Sequence, residues 1–439
     1  MTSSARSTLS DAIGRLRGSQ LAVGSLVVFG IQVAATIVRY AANVVFARLG
    51  GAGQFGYFSF ASAWVQLLVA PAAIGLTFSV LRFIPTYQSS EDHPRLRGLV
   101  RRGLQVTAGG SVAIAAAGIL IAVLIPMNSA KRLVLVVALA TLPILALVNI
   151  YKEMTRSTKR MLPAYGFGEL LPPAAVLLCT ATAVLAGVRM TAVTMTELTA
   201  AGFAAAMVLQ RVGLRHSLGR LARSAKPAFD TSMWMKVSLP LFVLAVVNGF
   251  MNRSDILFVG IFRTAAQTGA YSAASRTASL VSFVLGAVLA ILAPMISSAH
   301  ADGRLDDLRH LVVQAVRWST ALSLLVVAVQ VVFAGPIMAV FGGGFSSGVL
   351  PLRILAIAEV VNAATGPVGL LLALTGSQST VARISATCLF LSVVAYVFVV
   401  PHFGTTGAAV VAGAVTIVWN GWLYVVVRRR FGFRLYGLV

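Results

Sequence analysis

Two related stretches decide the fold of this chain: Ala52-Gly53-Gln54-Phe55-Gly56-Tyr57-Phe58-Ser59-Phe60-Ala61-Ser62 and, 213 residues later, Ala265-Ala266-Gln267-Thr268-Gly269-Ala270-Tyr271-Ser272-Ala273-Ala274-Ser275. A second pair follows at nearly the same offset, since Leu96-Arg97-Gly98-Leu99-Val100 is echoed by Leu308-Arg309-His310-Leu311-Val312. The chain therefore reads as two related halves. In membrane proteins, repeated halves are typical of transporters, whose substrate sites lie where the repeats meet.

The composition places the chain in a lipid bilayer. Of its 439 residues, 58% are hydrophobic and only 11% are charged, which excludes an ordinary soluble domain. Apolar stretches near the length of about 20 residues that spans a bilayer begin around positions 21, 55, 104, 133, 165, 190, 237, 270, 311, 350, 382 and 404. We therefore predict an all-α polytopic membrane protein with about twelve transmembrane helices in two repeated six-helix bundles.

The same pattern predicts five segments. They are a cytoplasmic N-terminal segment (1–20), a first six-helix bundle (21–213), a basic cytoplasmic linker (214–236), a second six-helix bundle (237–428) and a cytoplasmic tail (429–439). The apolar stretch that follows the polar segment is too long for a cleaved signal peptide, so the first helix is expected to remain as an anchor. The linker is expected to be a solvated or lipid-touching loop, because it is basic and has no hydrophobic core.

The chain has a net charge of +23, and the distribution of its basic residues indicates its orientation in the membrane. Most of the 35 basic residues, Lys152 among them, fall in segments that are cytoplasmic if the N-terminus is inside. The predicted outer segments hold only Arg48, Lys131, Arg132, Arg189 and Arg263. By the positive-inside rule both termini are therefore predicted to be cytoplasmic. The charge then attracts anionic membrane lipids, and nucleic acid is not expected as a partner.

The sequence predicts no catalytic, metal or nucleotide site. The five histidines lie in loops or at helix ends, without a second ligand at metal-binding spacing. Gly342-Gly343-Gly344 lacks the lysine of a phosphate-binding loop and is typical of a turn. We therefore expect a protein that is not an enzyme and that uses no cofactor and no metal.

Ionisable residues inside the predicted helices are the candidate functional residues, because each costs about 2.5 to 3.5 kcal/mol to place in the bilayer. Arg39 and Asn43 lie past the middle of the first helix, and Asn252 and Arg253 lie at the equivalent depth of the seventh. Arg276 lies in the eighth helix. We expect these residues to line one cavity between the halves. Snorkelling to the outer interface is the alternative for the arginines of the first and eighth helices.

Two carboxylates complete this set. Asp255 is two residues from Arg253 and faces another side of the helix, which leaves Arg276 as a candidate partner across the interface. A purely structural salt bridge is the competing interpretation. Glu359 has no basic residue nearby in sequence, so it is the first choice for a proton- or cation-coupling carboxylate. Both carboxylates are expected to line the same cavity.

Segments along nearly the whole chain carry a resemblance to a known family. They are Ala41–Gly50, Gln54–Ser59, Leu81–Tyr87, Arg253–Gly260, Thr268–Ser272, Ala293–Ser297 and Leu352–Ala356. In order and spacing they resemble the recurring segments of bacterial oligosaccharide flippases. These polysaccharide biosynthesis proteins form the polysaccharide-export branch of the multidrug/oligosaccharidyl-lipid/polysaccharide exporter superfamily.

The resemblance implies two six-helix bundles around a V-shaped central cavity that opens to alternate faces. Such proteins move undecaprenyl-pyrophosphate-linked sugars across the inner (cytoplasmic) membrane of bacteria, and polysaccharide polymerases and glycosyltransferases are the expected partners. Arg39 and Arg276 resemble the cavity arginines of the superfamily and are expected to bind the pyrophosphate, with Arg253 as a third. Asn43 and Asn252 are expected to contact sugar hydroxyls.

Two alternatives stay open. A cation-coupled multidrug and toxin antiporter of the same superfamily would share the two-bundle plan, but its cationic drugs require an acidic cavity. Here Arg39, Arg253 and Arg276 outnumber Asp255 and Glu359. A transport-inactive membrane scaffold for cell-wall assembly would tolerate removal of all these charges. For a transporter, the membrane potential is an available energy source, worth about 2.3 kcal/mol per charge at 100 mV.

Overall fold

The computed structural model describes residues 3–283, 286, 305–366, 368–374 and 377–431. These ranges are almost entirely helical and contain no strand, which confirms the predicted all-α class. The family-like segment Ala293–Ser297 and most of the predicted tail (429–439) lie outside the described residues.

The α-helices are numbered in chain order over the described residues. They are α1 (Ser3–Ala72), α2 (Leu76–Ser89), α3 (His93–Leu124), α4 (Ser129–Ala140), α5 (Leu142–Ser157), α6 (Met161–Tyr165), α7 (Leu171–Leu185), α8 (Ala192–Ser224), α9 (Thr231–Met251), α10 (Ser254–Phe262), α11 (Ala265–Ala278), α12 (Leu305–Val332), α13 (Ala334–Ala339), α14 (Val349–Thr365), α15 (Val368–Leu374) and α16 (Gln378–Phe431). Gly166–Leu170 forms a π-helical turn, and Ser279–Val281 and Gly343–Gly348 form 3-10 turns.

Seven helical stretches in the described ranges are long and apolar enough to cross a membrane, or eight if the bent pair in α9 is one span. The seven are Val27–Ala72, His93–Leu124, Ser129–Ser157, Met161–Leu185, Ala192–Gly219, Gly343–Thr365 and Gln378–Arg430. The first and last of these bend at Gly51 (φ 72°) and Gly404 (φ 62°), in a conformation that glycine adopts without strain. The chain is thus a multi-pass membrane protein, while the number of twelve helices, the segment boundaries and the cytoplasmic termini stay predictions.

The two copies of the repeated stretch pack against each other. The first copy follows the kink in α1, and the second begins α11. A side chain at Gly56 would collide with the Ala265 carbonyl, and one at Gly269 would collide with the Ala52 carbonyl. The two glycines occupy equivalent positions of the repeat, and each lets the opposite helix backbone approach closely. The repeated sequence therefore builds a helix crossing in which both copies play the same part.

Further contacts close the same end of the molecule. Arg48 Nε donates to the Val340 carbonyl oxygen at 2.6 Å. The rings of Phe55 and Phe345 meet edge to face, with centroids 6.0 Å apart. Both contacts join the first half of the chain to the second and hold the halves together here. We call residues 48–56, 265–269 and 340–345 the sealed end.

The predicted linker is mostly helical. α8 continues to Ser224 with a kink at Gly219, and α9 begins at Thr231. Between these helices the chain is tied to the start of α3, because the Ala228 N–H donates to the Pro94 carbonyl oxygen at 3.0 Å. The loop expected from its basic composition is therefore reduced to a short connection held on α3.

Candidate functional site

A cavity of about 600 Å³ lies among the membrane-spanning helices, with most of its wall supplied by the first half of the chain. No residue between Phe46 and Phe58 lines it. From there it extends toward Ala70 and Lys152, near the ends of α1 and α5. The cavity is therefore closed toward the sealed end and reaches toward the opposite end of the molecule.

The structure brings together the residues predicted to bind substrate. Arg39, Asn43, Asn252, Arg253 and Arg276 all line the cavity. The carboxylates predicted to share it, Asp255 and Glu359, are not among its lining residues. The single cavity expected for all seven side chains thus holds the basic and amide groups without the two predicted acids.

A hydrogen-bonded path crosses the cavity wall between the halves. Arg276 Nη1 donates to Asn43 Oδ1 at 2.7 Å, and Asn43 Nδ2 donates to the Arg39 carbonyl oxygen at 2.6 Å. Arg276 Nε donates to Ser272 Oγ, one turn earlier on α11, at 3.1 Å. Because both ends of the buried Asn43 amide are engaged, this side chain positions Arg276. Its predicted contact with sugar would have to compete with these bonds.

Neither Arg253 nor Arg276, the two cavity arginines from the second half, forms an ion pair among the described residues. The Arg276 guanidinium contacts neutral groups and lies 5.7 Å from the centroid of the Phe55 ring. Arg253 lies at the break between α9 and α10, and its side chain forms no hydrogen bond or ion pair with another described residue. The Asp255 carboxylate, two residues further along the chain, interacts with it electrostatically without touching it. Beside Arg253, Asn252 Nδ2 donates to the Asn248 carbonyl oxygen at 2.8 Å. This wall of the cavity therefore presents two cations and no acidic lining residue from the second half.

Two further charged residues line the cavity, and the sequence alone did not single them out. Glu169 Oε1 accepts from Lys152 Nζ at 2.8 Å, and Glu169 Oε2 accepts from Arg39 Nη2 at 3.1 Å. Lys152, which the sequence places in a cytoplasmic segment, lies near the end of α5 and lines the cavity, and its side of the membrane stays a prediction. The two cavity cations of the first half thus share the carboxylate of Glu169, and Lys152 has a second, more distant ion pair with Glu153 at 3.6 Å.

A π-helical turn, Gly166–Leu170, places Glu169 in the cavity. The pair Pro172-Pro173 follows it, and neither proline has an N–H to donate to the carbonyls of the preceding turn. The Leu171 N–H donates instead to the Gly166 carbonyl, five residues back, which widens the helix at this point. A glutamate shortly before two prolines in an apolar helix was the signal that the sequence offered.

Gly168 makes room for the aliphatic stem of Lys152. A Cβ at this position would lie 2.8 Å from Lys152 Cγ and 2.7 Å from Gln210 Nε2. Gln210 is fully buried, and its Nε2 donates to the Ala164 carbonyl oxygen at 3.0 Å, so it has little freedom to move away. The missing side chain lets Lys152 lie along the π-helical turn and reach Glu169.

The cavity wall is positively charged overall. Its ionisable lining residues are Arg39, Lys152, Glu169, Arg253 and Arg276, four basic against one acidic. Within a membrane protein such charges are poorly screened, so their sign decides which ligands are attracted. The arrangement favours an anion and opposes a cation.

The predicted ion pair between Asp255 and Arg276 is not formed. Asp255 Oδ2 instead accepts hydrogen bonds from Tyr271 Oη at 3.1 Å and from Ser275 Oγ at 3.2 Å. Tyr271 and Ser275 share the face of α11 that meets α10, whereas Ser272 and Arg276 share the face that meets α1. Because Arg276 follows Ser275 by one position on α11, its side chain points away from the Asp255 carboxylate.

Glu359 lies on α14 and accepts hydrogen bonds from neutral donors. Its Oε2 accepts from Ser282 Oγ at 2.8 Å and from Asn362 Nδ2 at 3.0 Å. No ion pair links it to a basic residue in the described ranges. Glu359, which is predicted to couple transport to protons or cations, therefore lies outside the wall of the basic cavity.

Solved structures of membrane transporters share this fold. An inward-facing multidrug resistance MATE family transporter of the MOP superfamily matches with a TM-score of 0.76 and 14% identity, over 94% of this chain and 98% of that one. The lipid II flippase MurJ, in an inward closed conformation, matches with a TM-score of 0.69 and 12% identity, over 92% of this chain and 87% of the other. At these identities the likeness shows the fold, which is that of the MATE and MurJ transporters.

Sequence relatives narrow the family. A probable low-salt glycan biosynthesis flippase of Haloferax volcanii is 25% identical over 202 residues, which are 45% of this chain and 43% of that relative. This chain thus matches less than half of the length of that flippase. The profile of the family described as polysaccharide biosynthesis protein matches residues 104–345, more than half of the chain. The resemblance predicted from the recurring segments is confirmed: the chain belongs to the polysaccharide biosynthesis protein family.

Proposed function

We propose that this chain is a flippase that carries undecaprenyl-(pyro)phosphate-linked oligosaccharide across the bacterial inner membrane, for export of cell-surface polysaccharide. The pair Arg253 and Arg276 is the observation that carries the proposal. Both line a cavity among membrane-spanning helices, and neither forms an ion pair with an acidic residue in the described ranges. A buried cation without a counter-ion is unfavourable, so this wall is suited to an anionic ligand.

A pyrophosphate group suits these arginines chemically. A guanidinium offers several N–H donors in a planar fork and keeps its charge in an apolar site. Arg276 is held by Asn43 and Ser272, so little conformational freedom is lost when it binds. Arg39 adds a third guanidinium, and its side chain is 52% exposed on the cavity wall.

The remaining wall suits sugar hydroxyl groups. Its neutral hydrogen-bonding side chains include Ser62, Gln66, Thr141, Asn149, Thr196, Thr199 and the predicted Asn252. The volume of about 600 Å³ lies within the range of about 300 to 1,000 Å³ that is usual for small-ligand sites. That space suits a pyrophosphate with its first sugars, so the polyprenyl chain stays in the bilayer while the head group crosses.

Alternating access supplies the route for the head group. The cavity is closed toward the sealed end and extends toward the ends of α1 and α5. With the orientation predicted from the basic residues, the open side is the cytoplasmic side, where lipid-linked sugars are made. Separation of the two halves at the sealed end would then release the head group to the outer leaflet.

Energy and partners follow from the same proposal. Glu359 and Asp255 lie off the basic wall and are the carboxylates proposed to couple transport to protons or cations. Anionic lipids are proposed to contact the basic segments, and polysaccharide polymerases and glycosyltransferases are proposed as the enzymes that share the substrate. A multidrug antiporter is less well supported, because four basic residues and one acid line the cavity and would repel a cationic drug.

Leaflet translocation of a fluorescent undecaprenyl-pyrophosphate oligosaccharide in proteoliposomes tests the proposal. Wild-type protein should translocate the lipid, and Arg253→Ala and Arg276→Ala should each lose most of this activity. Arg353→Ala is the matched control, because this exposed arginine donates to the Val331 carbonyl outside the cavity. Absence of wild-type translocation at every membrane potential and ion gradient would reject the substrate and favour the scaffold alternative, whereas full activity of both cavity variants would reject the two arginines as the pyrophosphate site.

A further inference from the structure

We propose that Glu169 competes with the substrate phosphate for Arg39 and Lys152, and that Lys152 belongs to the anion-binding site. The inference rests on the proposed function, since it assigns an internal competitor to the same site. In the structure the Glu169 carboxylate uses one oxygen for each cation, at 3.1 Å and 2.8 Å. A phosphate likewise presents several oxygens around one central atom, so it can take the same two donors in place of the carboxylate.

The exposure of the pair supports an exchange. The side chain of Arg39 is 52% exposed and that of Glu169 is 26% exposed, and both line the cavity. An ion pair that is partly solvated contributes little net free energy, so an incoming dianion can replace it at low cost. Glu153, by contrast, is 12% exposed, pairs with Arg156 at 2.7 Å and with Lys152 only at 3.6 Å, and does not line the cavity. Only one of these two neighbouring carboxylates is therefore placed to compete.

The backbone around Glu169 allows the carboxylate to move when a phosphate displaces it. It lies in the π-helical turn Gly166–Leu170, ahead of two prolines that leave carbonyls of this turn without their usual donors. Such turns are less tightly bonded than an α-helix and often occur at functional sites. A change between π- and α-helical bonding would move the side chain away from Lys152. Occupancy of the cavity would thereby change the shape of the span Met161–Leu185.

The same exchange reaches the second half. Arg39 carries the carbonyl oxygen that accepts from Asn43, and Asn43 in turn accepts from Arg276. The guanidinium groups of Arg39 and Arg276 line the same cavity and are close enough to interact electrostatically, so a phosphate that takes Arg39 from Glu169 can bridge to Arg276. One anion would then contact arginines from both halves of the chain, so its binding would affect how the two halves meet.

Binding of inorganic pyrophosphate to the full chain tests the inference. Isothermal titration calorimetry in phosphatidylcholine nanodiscs would compare wild type, Glu169→Gln, the matched control Glu153→Gln, and Glu169→Gln combined with Lys152→Met. Because two sites that compete are typically coupled by a factor of five or more, Glu169→Gln should bind about fivefold tighter or better. Glu153→Gln should stay within about twofold of wild type. The double variant should lose the gain.

The sign of the change separates competition from support. If Glu169 only orients Arg39 and Lys152, Glu169→Gln binds pyrophosphate equally or more weakly, and the inference is overturned while the anion site stands. If Glu169→Gln binds pyrophosphate more tightly and the double variant with Lys152→Met keeps that gain, Lys152 does not belong to the site. That result would overturn the part of the inference that concerns Lys152. If wild type and every variant fail to bind pyrophosphate, the proposed function fails together with the inference.

Discussion

The two halves of the chain treat the charges of the cavity differently. In the first half, Arg39 and Lys152 share the carboxylate of Glu169, whereas Arg253 and Arg276 of the second half form no ion pair among the described residues. The halves share a repeated sequence and a common helix crossing, so their fold does not dictate this difference. We call the side of the cavity with Arg39 and Lys152 the first wall and the side with Arg253 and Arg276 the second wall. An anion must displace Glu169 on the first wall, whereas on the second wall no ion pair has to be broken.

The largest expected effect is the loss of an uncompensated arginine. Arg276→Ala should lower lipid translocation by about 100-fold, because truncating a buried, hydrogen-bonded cation that binds a charged partner costs about 2 to 5 kcal/mol. Arg39→Ala should cost only about tenfold, since Lys152 remains beside it and a partly exposed ion pair adds little. Initial rates at matched protein density in proteoliposomes would measure both.

The order of these two losses is what tests the comparison between the walls. Equal losses, or a larger loss for Arg39→Ala, would show that the ion pair with Glu169 does not make translocation less dependent on Arg39. Arg276→Lys sharpens the result, because it keeps the charge but loses the bidentate fork and the bond to Asn43. It should fall between wild type and Arg276→Ala.

A smaller effect is expected when the second wall is given its own counter-ion. Asn252 lines the cavity next to Arg253, so Asn252→Asp would place a carboxylate where the second half has none. Pyrophosphate affinity, measured by calorimetry, should fall about fivefold, in the range of coupling usual for competing groups. Asn252→Ala removes the amide without adding charge and should change affinity less. If both variants weaken binding equally, the charge of the wall is not what governs affinity.

The sequence was sufficient for the features that repeat. The offset between the two related stretches made Gly56 and Gly269 equivalent, and in the structure each meets the backbone of the other helix. The same offset related Arg39 to Asn252 and Arg253, all of which line the cavity. Repeats and apolar length are local properties of a chain, so they can be read without knowing which helices touch.

Contacts between distant helices could not be read in this way. Arg39 and Glu169 are 130 residues apart, and no local pattern brings them together. The rotation of α11 was equally hidden, because small residues surround Ser275 and Arg276 on both faces and do not show which face meets α1. Asp255 was therefore paired with the wrong neighbour. The place of Lys152 on the cavity wall was missed because charge near a helix end was interpreted only as topology, whereas its stem lies against the π-helical turn and its ammonium reaches Glu169.

The smallest expected effect concerns the glycine that aligns the compensated wall. Gly168→Ala would place a Cβ 2.8 Å from Lys152 Cγ and 2.7 Å from Gln210 Nε2, which displaces the Lys152 ammonium from Glu169. Overpacking of this kind costs about 1 kcal/mol or more of folding stability, so thermal unfolding in detergent should shift downward. Gly166→Ala lies in the same turn, has nothing within 4 Å of the added Cβ, and serves as the matched control. Pyrophosphate affinity should fall about threefold in Gly168→Ala alone, since one of the four cations leaves the wall. If the two variants behave alike, Lys152 reaches Glu169 without the space that Gly168 provides. The ion pair between Lys152 and Glu169 would then not depend on the shape of the π-helical turn.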